Sequence, residues 1–157
     1  MPAKKRNRRT PTVKMSPPEL WRFEFIRDAA NDDQTDLEEL SFSFGLGLSR
    51  PSLERLAVEF SIEIKGTLTI QISVVYRAIF EIDMPDAKPE ELEQELRFVA
   101  ANLAPTALYP FARETVATTV AKSGLPPLIP PIINFRTLFD PKTVEFPAVM
   151  PIDEAVV

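Results

Sequence analysis

Hydrophobic and polar residues alternate along four stretches of the chain, and each stretch predicts a β-strand, because successive side chains of a strand point to opposite faces. The stretches cover residues 20–26, 40–48, 56–64 and about 68–83. The last three follow one another through short links, which favours a single antiparallel sheet.

Two details of these strands carry further predictions. Lys65 and Gly66 predict a tight hairpin loop between the third and fourth strands, since glycine takes positive φ without strain. Near Val75 and Tyr76 the fourth stretch is apolar on both faces, which predicts either a β-bulge or burial of both faces by a partner chain.

After the fourth strand the hydrophobic spacing changes to every third or fourth residue, which is the period of a helix. It predicts one helix over residues 90–103 and a longer one over 106–123, with Gly124 ending the second. Pro110 fits such a helix only in its first turn or as a kink. The prolines within residues 126–131 then predict an extended apolar segment on the surface.

Together these elements predict an α+β fold: a four-stranded antiparallel sheet with a long helix and a shorter helix packed on one face. The length of 157 residues suits one domain. We expect a basic, disordered tail over residues 1–18, the folded domain over 19–140 and a proline-bearing C-terminal tail over 141–157.

Composition excludes several classes of function. The chain has no cysteine and no histidine, so it can form neither a disulfide nor a thiolate metal site, and it lacks the commonest general base. It also contains no glycine motif of the nucleotide-binding type. We therefore expect no enzymatic activity, no cofactor and no metal site.

Charge and hydropathy bear on partners and location. Of the 18 basic residues, six lie between Lys4 and Lys14, so the rest of the chain, which carries all 23 acidic residues, is strongly acidic. An acidic body argues against binding of nucleic acid. No apolar run is long enough to span a bilayer, and no apolar segment follows the basic residues as it would in a secretory signal. We expect a cytoplasmic protein without membrane insertion.

Two motifs, and the proline-rich stretch between them, resemble the signature of a known family. The first motif is Leu108-Tyr109-Pro110-Phe111-Ala112-Arg113-Glu114, and the second is Asn134-Phe135-Arg136-Thr137-Leu138-Phe139. In this order, and behind four strand-like stretches, they are similar to the motifs of the SecB family of protein-export chaperones. The resemblance covers roughly residues 20–139.

The resemblance implies an ATP-independent holdase that binds unfolded or precursor polypeptides for export and assembles as a homotetramer, a dimer of dimers. Two departures leave engagement of the SecA motor open. Residues 71–74 lack the glutamate expected of relatives that bind SecA, and residues 147–157 replace the glycine-rich, acidic end of the family. The alternative is a dedicated SecB-like interaction protein that stabilises one partner, such as an antitoxin or a secretion-system client.

Candidate site residues follow from the apolar pattern and from the motifs. We expect a client groove lined by the aromatic face of the first strand and by the proline-rich stretch, with core packing as the competing interpretation: Trp21, Phe23, Phe25, Leu125, Leu128, Ile129 and Ile132. The first motif supplies the candidate oligomer interface: Leu108, Tyr109, Phe111, Arg113 and Glu114. Of these, Arg113 and Glu114 are expected to form ion pairs across a subunit contact.

Overall fold

A computed structural model describes residues 10–27, 40–66 and 70–150, which form one antiparallel sheet and a long helix on one of its faces. The strands are β1 (Thr12–Met15), β2 (Glu19–Arg27), β3 (Ser41–Ser49), β4 (Arg55–Lys65) and β5 (Ile70–Asp83). The helices are α1 (Pro89–Phe98), a π-helical segment (Val99–Leu103), α2 (Ala104–Lys122) and α3 (Phe135–Leu138). The α+β fold class is confirmed.

β5 lies inside the sheet, with β4 and then β3 on one side of it. On its other side β2 and β1 pair with it one after the other, so the five strands occupy four rows. Pro17 and Pro18 interrupt this row because proline has no N–H to give to the ladder. Ser16 holds the chain to β5 across the break, since its N–H donates to the Ile79 carbonyl at 2.8 Å and its hydroxyl accepts from the Ile79 N–H.

The expectation of a disordered tail over residues 1–18 is wrong for residues 12–15. β5 extends beyond the end of β2, and its last residues, Phe80 to Asp83, would leave backbone groups unpaired without a further strand. β1 pairs with them, from Met15 opposite Phe80 to Thr12 opposite Asp83. Residues 1–9 lie outside the described part of the chain.

The irregularity predicted near Val75 belongs to the neighbouring strand. The pairing of β4 with β5 continues through this point without a shift, whereas β2 has a register shift between Leu20 and Arg22, opposite Val75. The hairpin loop is also displaced from its predicted position. Lys65 still pairs with Gln71, and the N–H of Gly66 donates to the Ile70 carbonyl at 2.9 Å, while residues 67–69 lie outside the described part of the chain.

The core lies between the sheet and α2. Alternate residues of β4 and β5 point to the face that α2 covers, called here the inner face, and are almost fully buried: Leu56, Val58, Phe60, Ile62, Ile64, Ile72, Val74, Ala78, Phe80 and Ile82. α2 contributes a stripe at every fourth position: Ala104, Leu108, Ala112, Val116 and Val120. The period-2 strands and the period-3.6 helix therefore meet as the sequence predicts.

The two predicted helices are continuous rather than separate. α1 passes through the π-helical segment into α2, and Leu103 and Ala104 both keep helical backbone angles. Pro105 lacks an N–H and its ring crowds the preceding turn. The wider π-helical turn immediately before it provides room for that ring, so the helix does not end. None of the helices in the described ranges is both long enough and apolar enough to cross a membrane.

Candidate functional site: a groove beside strand β3

Residues 125–133, called here the proline segment, are fastened to α2 by the first motif. The hydroxyl of Tyr109 donates a hydrogen bond to the Pro131 carbonyl, and Nε of Arg113 donates to the Pro130 carbonyl at 2.8 Å. Tyr109 and Arg113 are four residues apart, so both project from the same side of the helix. The motif thus supplies two donors for a segment whose prolines leave few N–H groups of its own.

Burial raises the pKa of the Tyr109 hydroxyl, and the nearby positive charge of Arg113 opposes the increase in part. The phenol therefore stays protonated and remains a hydrogen-bond donor throughout the neutral range. A phenolate could not donate to the Pro131 carbonyl, so the raised pKa and the hydrogen bond depend on the same protonation state.

The second motif meets the first in a cluster of aromatic rings. The ring of Phe135 lies 5.3 Å from that of Tyr109 and 5.5 Å from that of Phe60, in both cases edge to face. Phe44 of β3 joins the cluster, 6.0 Å from Tyr109. Asn134 caps the short helix α3, because its side chain accepts from the N–H of Arg136. This packing gives Tyr109 of the first motif and Phe135 of the second a structural role.

An open apolar groove of about 640 Å³ lies beside this cluster, between β3 and the chain that follows α3. We call it the β3 groove. Its lining is mostly aromatic and aliphatic: Phe44, Gly45, Leu46, Leu48, Phe139, Val144, Glu145, Phe146 and Pro147. Phe139 stacks on Phe135 with ring centroids 6.2 Å apart, so the aromatic cluster supports one wall of the groove.

The other wall is residues 144–150, called here the C-terminal strap. α3 ends at Leu138, since Phe139 is already extended, and hydrogen bonds to Asp140 form the turn around Pro141 that follows. A guanidinium N–H of Arg97 then donates to the Val144 carbonyl at 2.9 Å. The ring of Phe146 lies 5.0 Å from the guanidinium carbons of both Arg50 and Arg97.

The strap also reaches the edge of β3. The N–H of Met150 donates to the Arg50 carbonyl at 2.9 Å, and Val149 forms a parallel bridge with Arg50. Arg50 therefore turns its backbone groups outward, away from β4. Because backbone direction alternates along a strand, Leu48, Leu46 and Phe44 turn theirs the same way, toward the groove. Within the described ranges β3 pairs with β4 alone, so these groups form an open strand edge.

The residues predicted to line a client groove do not come together. Phe23 and Phe25 face inward opposite Val74 and Ile72, but the register shift in β2 turns Trp21 to the outer face, where its ring lies 4.6 Å from the guanidinium of Arg77.

In the proline segment the predicted groove residues divide by burial. Leu125 and Leu128 belong to the core, and Leu128 is only 9% exposed. Ile129 and Ile132 are 66% and 87% exposed. None of the seven predicted residues lines the β3 groove. The alternating run of β3 was visible in the sequence, whereas its partner across the groove depends on the turn at Pro141 and on two distant arginines.

The residues predicted for an oligomer interface also divide. Leu108 is in the core, and Tyr109 and Arg113 bind the proline segment of their own chain. Nε of Arg113 is used within its own chain, in the bond to the Pro130 carbonyl. The ion pairs expected across a subunit contact stay a prediction. Phe111 and Glu114 remain exposed.

Phe111 belongs to an apolar patch on the inner face. Its ring lies 6.1 Å from that of Tyr76, and Leu20 of β2 is the neighbour of Tyr76 across the sheet. Phe23 follows on the same face of β2, and like Leu20 and Phe111 it is exposed although large and hydrophobic. We call Leu20, Phe23, Tyr76 and Phe111 the β2–α2 patch.

Comparisons with known proteins agree on one family. The model of the SecB family, described as preprotein translocase subunit SecB, matches residues 53–145. The protein-export protein SecB of Ehrlichia chaffeensis is 33% identical over 86 residues, which are 54% of this chain and 49% of that protein. That of Ehrlichia ruminantium is 29% identical over 114 residues, 71% of this chain and 60% of that protein. The matches thus span only about half to three fifths of these relatives.

A solved structure shares the fold. It is a SecB-like chaperone of Mycobacterium tuberculosis in complex with a ChAD peptide from an antitoxin. The superposition has a TM-score of 0.62 and covers 78% of this chain and 88% of that one, at 20% sequence identity.

Proposed function

The chain belongs to the SecB family, and from that premise we propose that it is an ATP-independent holdase chaperone that binds unfolded or precursor polypeptides in the β3 groove. The observation that carries the proposal is an open apolar groove, bounded on one side by a strand edge to which no other strand of the described residues is paired. An unfolded chain offers what such a groove takes: exposed apolar side chains and unpaired backbone groups.

The shape of the groove suits an extended chain better than a compact ligand. Phe44, Leu46 and Leu48 offer apolar side chains, while the backbone of the same residues offers hydrogen bonds to a polypeptide lying alongside. Apolar contact is not specific for sequence, and backbone pairing is common to all polypeptides. Neither interaction requires a nucleotide, so binding without ATP follows from the chemistry of the surface.

Suppression of aggregation tests this function. The wild-type protein should slow the aggregation of a chemically unfolded model protein equally with and without ATP. Leu46→Asn should weaken client binding by about 1–2 kcal/mol, because it removes apolar area from the groove. Ile26→Asn is the matched control, since Ile26 is exposed and lies on the outer face of β2. Absence of protection by a large excess of wild-type protein would contradict the proposal, as would equal loss in both variants.

We further propose that the β2–α2 patch binds a second copy of the chain within the homotetramer. Exposed aromatic and aliphatic groups in one contiguous patch favour association. Phe111→Asp should dissociate the assembly, whereas Ile129→Asp, at an exposed position of the proline segment, should leave it intact. Sedimentation velocity distinguishes the outcomes, and a wild-type monomer at micromolar concentration would rule out this interface.

The alternative function is dedicated binding of one partner. It is favoured by the structural neighbour, whose own ligand is a peptide from an antitoxin. Affinity capture from the host cell separates the two possibilities, because a general holdase brings down many precursors and a dedicated protein brings down one partner. Recovery of SecA in the same experiment would test whether the export motor is engaged. A role in export would place the protein in the cytoplasm.

A further inference from the structure

We propose that the C-terminal strap is a built-in competitor of the client: it occupies one end of the β3 edge, and an extended polypeptide must displace it to lie along the whole strand. This inference rests on the proposed function of the β3 groove. It adds that access to the groove is controlled by the chain itself.

The first argument is that the strap already makes the contacts of a client. Its backbone pairs with β3 through the Met150 N–H and the Arg50 carbonyl, and it runs parallel to the strand. Between Val144 and Met150 the strap forms no helix and is mostly apolar, with Glu145 as its one charged residue. It therefore has the chemistry proposed for the polypeptides that the groove binds.

The second argument is that the strap leaves most of the edge open. It contacts the strand at Arg50 and then diverges, so that the groove lies between it and Leu46 and Leu48. A polypeptide could enter this space beside β3, but it could not pair beyond Leu48 while Met150 remains bonded to the Arg50 carbonyl. Full occupation of the edge and attachment of the strap are therefore mutually exclusive.

The third argument is that the attachment is light. No residue from 144 to 150 is fully buried: Val144 and Phe146 are half-buried against the margin of the core, and hydrogen bonds hold the strap at its two ends. The ring of Phe146 attracts two guanidinium groups, of Arg50 and Arg97, and their mutual repulsion opposes the arrangement. Arg97 has a carboxylate partner in Glu93 at 3.1 Å, whereas Nε of the buried Arg50 has no hydrogen-bond partner.

A reversible lock tests the proposal, because the natural chain has no cysteine to interfere. Arg50→Cys combined with Val149→Cys places two thiols on bridged residues, at the spacing of about 4.8 Å between neighbouring strands, which a disulfide can span. The oxidised variant cannot release its strap, and the reduced variant can. The client probe is reduced and carboxamidomethylated α-lactalbumin, which stays unfolded and has no free thiol.

The oxidised variant should bind this probe at least about tenfold more weakly than the same variant after reduction, because apparent affinity falls with the fraction of molecules in the competent state. Wild-type protein under the same two redox conditions should show no difference. Equal affinity of the oxidised and reduced variant would overturn the role of the strap alone. Failure of wild-type protein to bind the probe would overturn the proposed function, and the strap proposal with it.

A variant whose strap is attached more weakly tests the opposite change in affinity. Arg97→Gln removes the donor to the Val144 carbonyl and one of the two cations at Phe146, without changing the lining of the groove. It should bind the probe about threefold to fivefold more tightly, since more molecules have a free edge. Arg55→Gln is the matched control, because Arg55 is an exposed arginine paired with Glu81. Unchanged or weaker binding by Arg97→Gln would contradict the proposal.

Discussion

The proline segment and the C-terminal strap are both short, largely apolar and interrupted by proline, yet the body of the protein holds them differently. The proline segment buries Leu125 and Leu128 in the core, and two side chains of α2 bind its backbone carbonyls. No side chain of the strap enters the core: Val144 and Phe146 are only half-buried against its margin, and the ring of Phe146 contacts two arginines. Proline content therefore does not decide whether such a segment is fixed.

The interactions that hold the two segments differ in free energy. Burying a leucine side chain stabilises a fold by about 1.5–3 kcal/mol. An exposed cation–π contact contributes about 0.5–1 kcal/mol. The proline segment combines two buried leucines with two hydrogen bonds, so it should open only with the whole domain. The strap should detach from β3 far more readily, as expected of a segment that competes with a client for the same strand edge.

The largest effect on stability is expected within the proline segment, where a buried and an exposed residue are adjacent. Leu128→Ala should lower the free energy of unfolding by about 2–4 kcal/mol, because it leaves a cavity in the core. Ile129→Ala, at the adjacent exposed position, should change it by less than about 0.5 kcal/mol. Urea denaturation measures both, and equal effects would mean that the segment is not anchored by its buried leucines.

A smaller effect on stability is expected from the hydrogen bond between Tyr109 and the proline segment. Tyr109→Phe keeps the ring in the aromatic cluster but removes the donor to the Pro131 carbonyl. It should lower the free energy of unfolding by about 1 kcal/mol, the net contribution of one hydrogen bond. An unchanged midpoint in urea would show that the ring alone holds the segment.

Stability at alkaline pH should depend on the same hydroxyl. The pKa of Tyr109 is raised in the folded protein above the value of about 10 in the unfolded chain. Its contribution is therefore complete below pH 10 and is lost as the pH rises through the folded value. Wild-type protein should lose stability above pH 10 more steeply than Tyr109→Phe, and parallel profiles would refute this assignment.

The smallest effect on stability is expected in the strap. Phe146→Ala should lower the free energy of unfolding by about 1 kcal/mol or less, because the ring is only half-buried and its polar partners are two cations, each in a weak cation–π contact. A loss as large as that of Leu128→Ala would show that the strap is part of the core and would remove the contrast between the two segments.

The parts of the fold that the sequence predicts are those set by local pattern. β4 alternates cleanly because one of its faces is buried along its whole length. Gly124 follows the C-terminal end of α2 and has a φ of 77°, which glycine adopts without strain because it has no side chain. β1 was missed because its four residues lie beside a basic run and take their structure from β5. The two helices predicted over residues 90–103 and 106–123 are continuous, because a π-helical segment accommodates Pro105, and this segment has no simple sequence signal.

The site was harder to predict because its two sides are far apart in the sequence. The alternation of Phe44 and Leu46 with small polar residues predicts a strand, but nothing local shows that β3 lies at the edge of the described sheet. Phe146 meets Arg50 and Arg97 only after the turn at Pro141 has directed the strap across the fold. The motif residues could be found from sequence, but their role is to hold the proline segment and the aromatic cluster behind the groove.

Site-specific photo-crosslinking tests the central claim most directly. A benzoyl derivative of phenylalanine is placed at Phe139 in the β3 groove and, in separate variants, at Ile132 in the proline segment and at Ile26 on the outer face. With an unfolded client, crosslinks should form from position 139 and stay at background from positions 132 and 26. Crosslinks from either control position, with none from 139, would contradict the assignment of the β3 groove as the binding site.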